Sequence, residues 1–244
     1  EKVRIDVSPH YTKPPFRGGG NVDVPVETVA DRMAQVVPSA KLIYLVRDPV
    51  EKVLRTYRHA RSYADWNENR GLAAAVCKPE NTYVEGARYY KQISHYARHF
   101  DYSSIMVVTS ESLETKTEET MSRVYKFLGV SAEFKSPVFR ERLNVSSNRL
   151  FPNALGIWAN RACQKWTGVV GSGTTSTFSD KRLFPILNNN KELGKIFGIP
   201  TRLFYTSDLP RPTKTVLKSL KTALKEDMED FRAITNRSFD EWSI

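Results

Sequence analysis

Cysteine, long apolar runs and metal-ligand spacings are all scarce in this chain of 244 residues. Cys77 and Cys163 lie far apart and outside any metal-binding motif, so neither a disulfide scaffold nor a cysteine-based metal site is indicated. No stretch reaches the roughly 20 apolar residues that a membrane span requires. The start of the chain lacks the basic-then-apolar pattern of a secretory signal. We therefore predict a cytoplasmic protein without a membrane span or a metal, with the Golgi lumen or secretory pathway as the alternative compartment.

Acidic residues are also in deficit, because 27 Asp and Glu stand against 37 Lys and Arg and leave a net charge of +10. This balance favours an anionic partner such as nucleic acid, an acidic polysaccharide, a membrane surface or a highly charged cofactor. The basic residues are dispersed and form no nucleic-acid recognition motif, so we do not expect nucleic acid as the partner. With 40% hydrophobic residues the chain can bury one sizeable core, and we predict a single domain over residues 1–244.

The most informative stretch is KLIYLVRDPVEKVLRTY, residues 41–57. Its apolar run at 42–46 is typical of a strand buried on both faces of a parallel sheet. Asp48 can cap a helix that begins at Pro49. In open α/β sheets ligands bind at the carboxyl ends of the strands, and a helix N-terminus there favours anions. Arg47 is therefore predicted to bind a phosphate, the alternative being a simple pairing with Asp48.

This stretch resembles the 3′-phosphate-binding segment of sulfotransferases that use 3′-phosphoadenosine 5′-phosphosulfate (PAPS). In that family an apolar strand ends in Arg-Asp/Asn-Pro, and the Arg and a Ser eight residues later grip the donor's 3′-phosphate. The resemblance therefore implies that Arg47 is a donor ligand. The second position is Arg55 here, with Thr56 beside it, and a guanidinium can also bind phosphate.

Further blocks carry the resemblance along the chain in the family's order. The helix-like segment 86–100 resembles the family's Arg-Tyr…Leu…Trp…Phe helix and implies that Tyr89 approaches the adenosine or the acceptor. The strand predicted at 104–109 and the helix predicted at 117–128, which Gly129 ends, match the family's wording. Arg149 lies in a segment similar to a basic loop of bacterial members and is a candidate donor ligand. Residues 214–242 resemble the family's closing helix pair.

The candidate general bases lie near the start of the chain. Val3, Ile5 and Val7 alternate with polar residues, which predicts a short strand beside the strand at 41–46. Heparan-sulfate-type and bacterial sulfotransferases carry a Glu-Lys-Ser/Thr-Pro-x-Tyr segment whose Glu is the proposed base, and the matching position here is Asp6. Cytosolic members place a His near this point, so His10 is the rival candidate.

The sulfotransferase family opens with a strand and a loop that binds the 5′-phosphosulfate group, and the sequence begins after that point. The Gly/Ser/Thr-rich stretch 170–176 is the nearest wording, but a surface loop is the better interpretation of it. We therefore expect the loop to lie upstream of residue 1 or on another chain.

The resemblance implies an α/β fold of the sulfotransferase and P-loop nucleotide-kinase kind, with a short parallel sheet flanked by helices. It also implies transfer of a sulfuryl group from PAPS to a hydroxyl or amine of a carbohydrate or small molecule, without a metal. The alternative is a non-catalytic module that binds a nucleotide or a polyanion, which the Asp at position 6 and the Arg at position 55 favour. The sequence leaves the acceptor and the oligomeric state open.

Overall fold

The computed structural model describes residues 4–8, 11–12, 28–62, 68, 70–78, 81–141, 151–153, 155–156, 158, 205–206 and 211–244. In chain order the helices and strands are α1 (Val29–Val36), β1 (Leu42–Val46), α2 (Pro49–Ser62), α3 (Leu72–Val76), α4 (Thr82–Glu85), α5 (Tyr89–Ala97), β2 (Ile105–Thr109), α6 (Ser110–Thr115), α7 (Thr117–Leu128), β3 (Phe151–Pro152), β4 (Tyr205–Thr206) and α8 (Lys214–Thr235). Short 3-10 turns lie at Tyr102–Ser104 and Pro137–Arg140.

The chain divides into two compact units. The first comprises Glu1–Lys52, Val84–Glu141 and Ser219–Ile244, and the second comprises Val53–Tyr83 and Arg142–Lys218. The predicted single domain stays a prediction. Among the described residues, no helix is both long enough and apolar enough to cross a membrane.

The sheet of the first unit is formed by β1 and β2, which run parallel with Leu42 opposite Ile105 and Val46 opposite Thr109. Helices lie between these strands in the chain, as parallel pairing requires, and the predicted α/β architecture is confirmed. The prediction that β1 is buried on both faces is wrong. Ile43 and Leu45 are 43% and 57% exposed, because side chains alternate along a strand and only one face packs against the core.

The prediction of a strand near the start of the chain is also wrong for the residues that the structure describes. Residues 4–8 form no strand, and the partner of β1 is β2. Ile5 and Val7 are 70% and 84% exposed, so the alternation of apolar residues here does not correspond to a packed face.

Helices α1 and α7 begin and end at residues with clear local signals. Thr28 caps α1 through a capping box with Asp31, so the helix begins at Val29. The hydrogen bonds from Thr28 and the pairing with His99 lower the pKa of Asp31 to about 2. Gly129 ends α7 with φ of +77°, a conformation that glycine adopts without strain, as predicted.

The core of the first unit lies between one face of the sheet, α5 and the closing segment of the chain. Its buried members are Val46, Tyr89, Ile93, Met228, Phe231, Phe239 and Trp242. The rings of Phe239 and Trp242 stack with centroids 4.3 Å apart. The predicted closing helix pair is a single helix, α8, followed by irregular residues 236–244 that fold back onto this core.

Candidate anion-binding site

Arg47 lies at the carboxyl end of β1, and its guanidinium reaches the carboxyl end of β2. Its Nη2 donates to Ser110 Oγ at 3.1 Å, and Ser110 Oγ donates to the Val46 carbonyl oxygen at 3.1 Å. Ser110 follows β2 directly, so neighbouring parallel strands bring the two side chains to the same edge of the sheet. This edge is where open α/β proteins bind ligands.

Both carboxylate oxygens of Asp48 accept hydrogen bonds from main-chain N–H groups, and Asp48 forms no ion pair with Arg47. Its Oδ1 accepts hydrogen bonds from the N–H groups of Val50 at 2.8 Å and Glu51 at 3.2 Å, which confirms the predicted cap of α2. Its Oδ2 accepts from the N–H of Ser243 at 2.6 Å. Within the described part of the chain, no carboxylate forms an ion pair with Arg47. A half-buried guanidinium of this kind is suited to an external anion.

Tyr89 holds the Arg47 main chain in place. Its hydroxyl accepts from the Arg47 N–H at 3.3 Å and donates to the Arg47 carbonyl oxygen at 2.9 Å. The residue is only 2% exposed, and burial raises the pKa of its hydroxyl. These hydrogen bonds make Tyr89 a positioning residue for Arg47. Its predicted contact with the adenosine or acceptor stays a prediction.

Glu111 adds a carboxylate to the same edge. Its Oε1 accepts from the Asp48 N–H at 3.0 Å, so it anchors the connection between β1 and α2. Its Oε2 is buried and has no hydrogen-bond partner among the described residues. A buried acceptor without a partner costs on the order of 1–3 kcal/mol. The contact that Glu111 supplies to this edge is therefore the one to the Asp48 N–H.

Asp227, on α8, orients the helix that carries Tyr89. Its two carboxylate oxygens accept from the N–H groups of Tyr90 and Lys91, each at 3.0 Å, and so cap the start of α5. Burial raises the pKa of Asp227 against the opposing effect of these hydrogen bonds. Phe231, one turn further along α8, lies in the core of the first unit.

Asp6, the first candidate base, forms a chain of hydrogen bonds to α5. The Tyr11 hydroxyl donates to Asp6 Oδ2, and the Tyr11 carbonyl oxygen accepts from the Tyr96 hydroxyl at 2.6 Å. The hydrogen bond to Asp6 raises the pKa of Tyr11. Asp6 is exposed, so its carboxylate is accessible to a solvent-borne acceptor.

The other predicted site residues are distributed as follows. Arg55 is exposed and Thr56 is half-buried, both on the part of α2 that belongs to the second unit. His10 and Arg149 lie outside the described residues. Their predicted roles stay predictions.

Glu68 is the centre of a polar cluster within the second unit. It is buried, accepts from Arg70 Nε at 2.9 Å and Nη2 at 2.5 Å, and accepts from the Tyr83 hydroxyl at 2.7 Å. Burial opposes ionisation of Glu68, but the hydrogen bonds from Arg70 and Tyr83 outweigh it and lower its pKa to about 2. The Tyr57 hydroxyl donates to the Arg70 carbonyl oxygen at 2.8 Å. This cluster stabilises the unit and uses all three side chains internally.

The sequence did not assign roles to Ser110, Tyr11 or Asp227. Ser110 could have been found, because polar residues that directly follow neighbouring parallel strands meet at one edge. Tyr11 stands in the motif that also contains Asp6, but its side-chain contact has no spacing signal. Asp227 lies 137 residues from Tyr90, and no local pattern indicates that pairing.

Fold and site together define an α/β protein with a half-buried arginine at the carboxyl edge of a parallel sheet. Residues 25–134 match the model of the sulfotransferase family. The chain is 24% identical over 188 residues to the mouse bifunctional heparan sulfate N-deacetylase/N-sulfotransferase 3, covering 70% of this chain and 20% of that protein. It is 22% identical over 190 residues to human bifunctional heparan sulfate N-deacetylase/N-sulfotransferase 2, with the same coverage. The chain thus spans about a fifth of the length of these curated relatives.

A solved structure supports the same fold. The sulfotransferase from Alicyclobacillus acidocaldarius superposes with a TM-score of 0.53 at 15% identity, over 89% of this chain and 63% of that one. These matches confirm the resemblance to the sulfotransferase family that the sequence motifs predict.

Proposed function

We propose that this chain transfers a sulfuryl group from PAPS to a hydroxyl or amine of a carbohydrate or small molecule. The observation that carries the proposal is the Arg47 guanidinium, which lies across the carboxyl ends of β1 and β2 with Ser110 as its hydrogen-bond partner and no ion pair within the described residues. The family match over residues 25–134 supports it.

Arg47 would hold the 3′-phosphate of the donor, and Tyr89 and Ser110 would keep its guanidinium in place. A guanidinium presents paired N–H groups that match phosphate oxygens. PAPS itself supplies the activated sulfuryl group. Because such transfers depend mainly on positioning and on neutralising charge, the chain's own task is to fix the donor and to screen negative charge.

Asp6 would accept the proton of the acceptor hydroxyl or amine as the new S–O or S–N bond forms and the bond to the phosphate breaks. The hydrogen bonds through Tyr11 and Tyr96 support this role, because they connect the segment that carries Asp6 to α5. His10 is the rival base. Arg55, Thr56 and Arg149 are proposed as further donor ligands on the sequence resemblance alone.

The second candidate function is binding of a nucleotide or polyanion without transfer. Departures from the family's pattern favour it, because Asp stands at position 6 where the family has Glu and Arg stands at position 55 where the family has Ser.

One experiment separates these functions. The chain, joined to any native upstream residues, is incubated with PAPS carrying a radiolabelled sulfuryl group and a panel of amino sugars, hydroxylated sugars and phenols. Binding of adenosine 3′,5′-bisphosphate is measured in parallel by calorimetry. Transfer with binding supports the enzyme, binding without transfer to any acceptor supports the module, and absence of both contradicts the proposal.

A further inference from the structure

A basic surface separate from the Arg47 site lies on the first unit, near the beginning of β2. A cleft of about 470 Å³ is bounded by the first half of β2, by α7 and by the end of α8. We call it the basic cleft, and its cations are Arg123, Lys126 and Arg237. Ser110 and Arg47 lie beyond the other end of β2, so the basic cleft and the Arg47 site share no residue.

The three cations of the basic cleft form no ion pairs with the described residues. Arg123 and Lys126 are exposed on α7, and no ion pair within the described part of the chain involves either of them or Arg237. Burial and then the nearby charge of Arg123 lower the pKa of Arg237, whereas Glu241 raises it. Arg123 and Arg237 thus bring two guanidiniums of like charge to the lining of one cleft.

Arg237 is fixed rather than free to turn away. Its Nη1 donates to the Val107 carbonyl oxygen at 3.0 Å, and its guanidinium lies 4.7 Å from the centre of the Phe239 ring. The contact with Val107 uses a main-chain carbonyl of β2, so it supplies no negative charge. The cation is held at the wall of the basic cleft by groups that leave its charge in place.

Apart from Ser103 and Thr235, the remaining residues that line the basic cleft are apolar or aromatic. They include Ile105 of β2, Phe127 of α7 and Tyr102, which is 49% exposed. A purely inorganic anion would leave this apolar surface in contact with water. A ligand that combines negative charge with a flat apolar body would bury it, which contributes about 25 cal/mol per Å².

We propose that the basic cleft binds an organic anion in which a phosphate or sulfate group is joined to an aromatic ring. Charge complementarity to Arg123, Lys126 and Arg237 selects the anionic group, and the apolar lining selects the ring. A volume of about 470 Å³ lies within the range of sites for small molecules. This site is additional to the donor site that the proposed function requires.

The test uses 1-naphthyl phosphate as the probe, with calorimetric titration of the full chain at low salt. We expect saturable binding that weakens as salt is added, because the attraction is partly between charges. Inorganic phosphate, which lacks the ring, and 1-naphthol, which lacks the charge, should each bind at least about tenfold more weakly, a difference of ~1.4 kcal/mol. Absence of binding, or equal binding of inorganic phosphate, would overturn the proposal.

Variants locate the probe. Arg123→Gln combined with Lys126→Gln should weaken binding by about tenfold or more. The matched control combines Lys214→Gln with Lys218→Gln, two exposed lysines of α8 outside the cleft, and should change affinity by less than about twofold although the net charge changes equally. Arg47→Ala should leave naphthyl phosphate binding unchanged. Loss in Arg47→Ala with no change in the α7 variant would place the probe at the donor site and refute the basic cleft, while leaving the proposed function intact.

Discussion

The Tyr89 hydroxyl bonds both the N–H and the carbonyl oxygen of Arg47, at 3.3 and 2.9 Å. The turn from β1 into α2 is thus held by a side chain 42 residues further along the chain. Since Tyr89 is itself buried in the core, the position of Arg47 is set by core packing as well as by the strand.

Tyr89→Phe should therefore affect the anion-binding site and not only stability. The ring still packs, but two partly buried main-chain groups lose their partner, so we expect the free energy of unfolding to fall by about 1–3 kcal/mol. Affinity for adenosine 3′,5′-bisphosphate should fall by about tenfold or less, since Arg47 is displaced rather than removed. Urea unfolding and calorimetry measure the two effects.

The control for this variant is Tyr44→Phe. It removes another buried hydroxyl, which donates to Gln92 Oε1 at 2.8 Å, but it does not touch Arg47. Tyr44→Phe should lower stability and leave affinity unchanged. Equal losses of affinity in both variants would show that Tyr89 acts through general stability alone.

Arg47→Ala should weaken binding of adenosine 3′,5′-bisphosphate by about 2–3 kcal/mol, because a charge-assisted contact to phosphate is lost. Arg47→Lys keeps the charge without the paired N–H groups, so its affinity should fall between those of the parent and the Ala variant. Calorimetry gives the dissociation constants, and circular dichroism checks the fold. An unchanged constant in a folded Arg47→Ala protein would remove Arg47 from the site.

Asp6→Asn should lower turnover by roughly 10²–10⁴-fold with donor affinity and melting temperature nearly unchanged, since an amide cannot accept the proton. Asp6→Glu restores a carboxylate and should recover part of the activity. Initial rates of sulfuryl transfer, with His10→Ala assayed alongside, measure this. Near-normal rates in Asp6→Asn together with a collapse in His10→Ala would assign the base to His10.

Glu68→Gln should lower the free energy of unfolding at neutral pH and should make that free energy less dependent on pH in the acid range. The pKa of Glu68 is lowered to about 2 in the folded chain, so its ionised form contributes stability above the unfolded pKa of about 4.3. That contribution is lost as the pH falls from about 5 toward 2.

The difference in unfolding free energy between the parent and Glu68→Gln should therefore be largest near pH 7 and should shrink on acidification. Urea titrations at a series of pH values between about 3 and 7 measure it. A difference that stays constant across this range would mean that ionisation of Glu68 does not contribute to stability.

The parts of the structure that follow from neighbouring residues could be predicted from the sequence. Asp48 and Pro49 indicate the start of α2, and Gly129 marks the end of α7, because caps and left-handed glycines depend on a few adjacent positions. The location of Arg47 at the ligand-binding edge of the sheet follows from the general rule for the carboxyl ends of parallel strands.

The parts that depend on distant partners could not be predicted. The exposure of Ile43 and Leu45 depends on what covers the second face of the sheet, which the apolar run does not encode. The bonds of Tyr89 to Arg47 and of Asp227 to the start of α5 join residues far apart in sequence. The strand predicted from the alternation at Ile5 and Val7 is absent from residues 4–8, because periodicity reports a pattern and not the presence of a partner strand.

The two contacts of Asp48 affect when the chain can fold during synthesis. One of its carboxylate oxygens caps α2 beside Arg47, and the other binds the N–H of Ser243, 195 residues later. Contacts between such distant residues form late and slow folding, because a long loop must close first. On the ribosome, the turn that carries Arg47 can be completed only after residue 243 has left the exit tunnel.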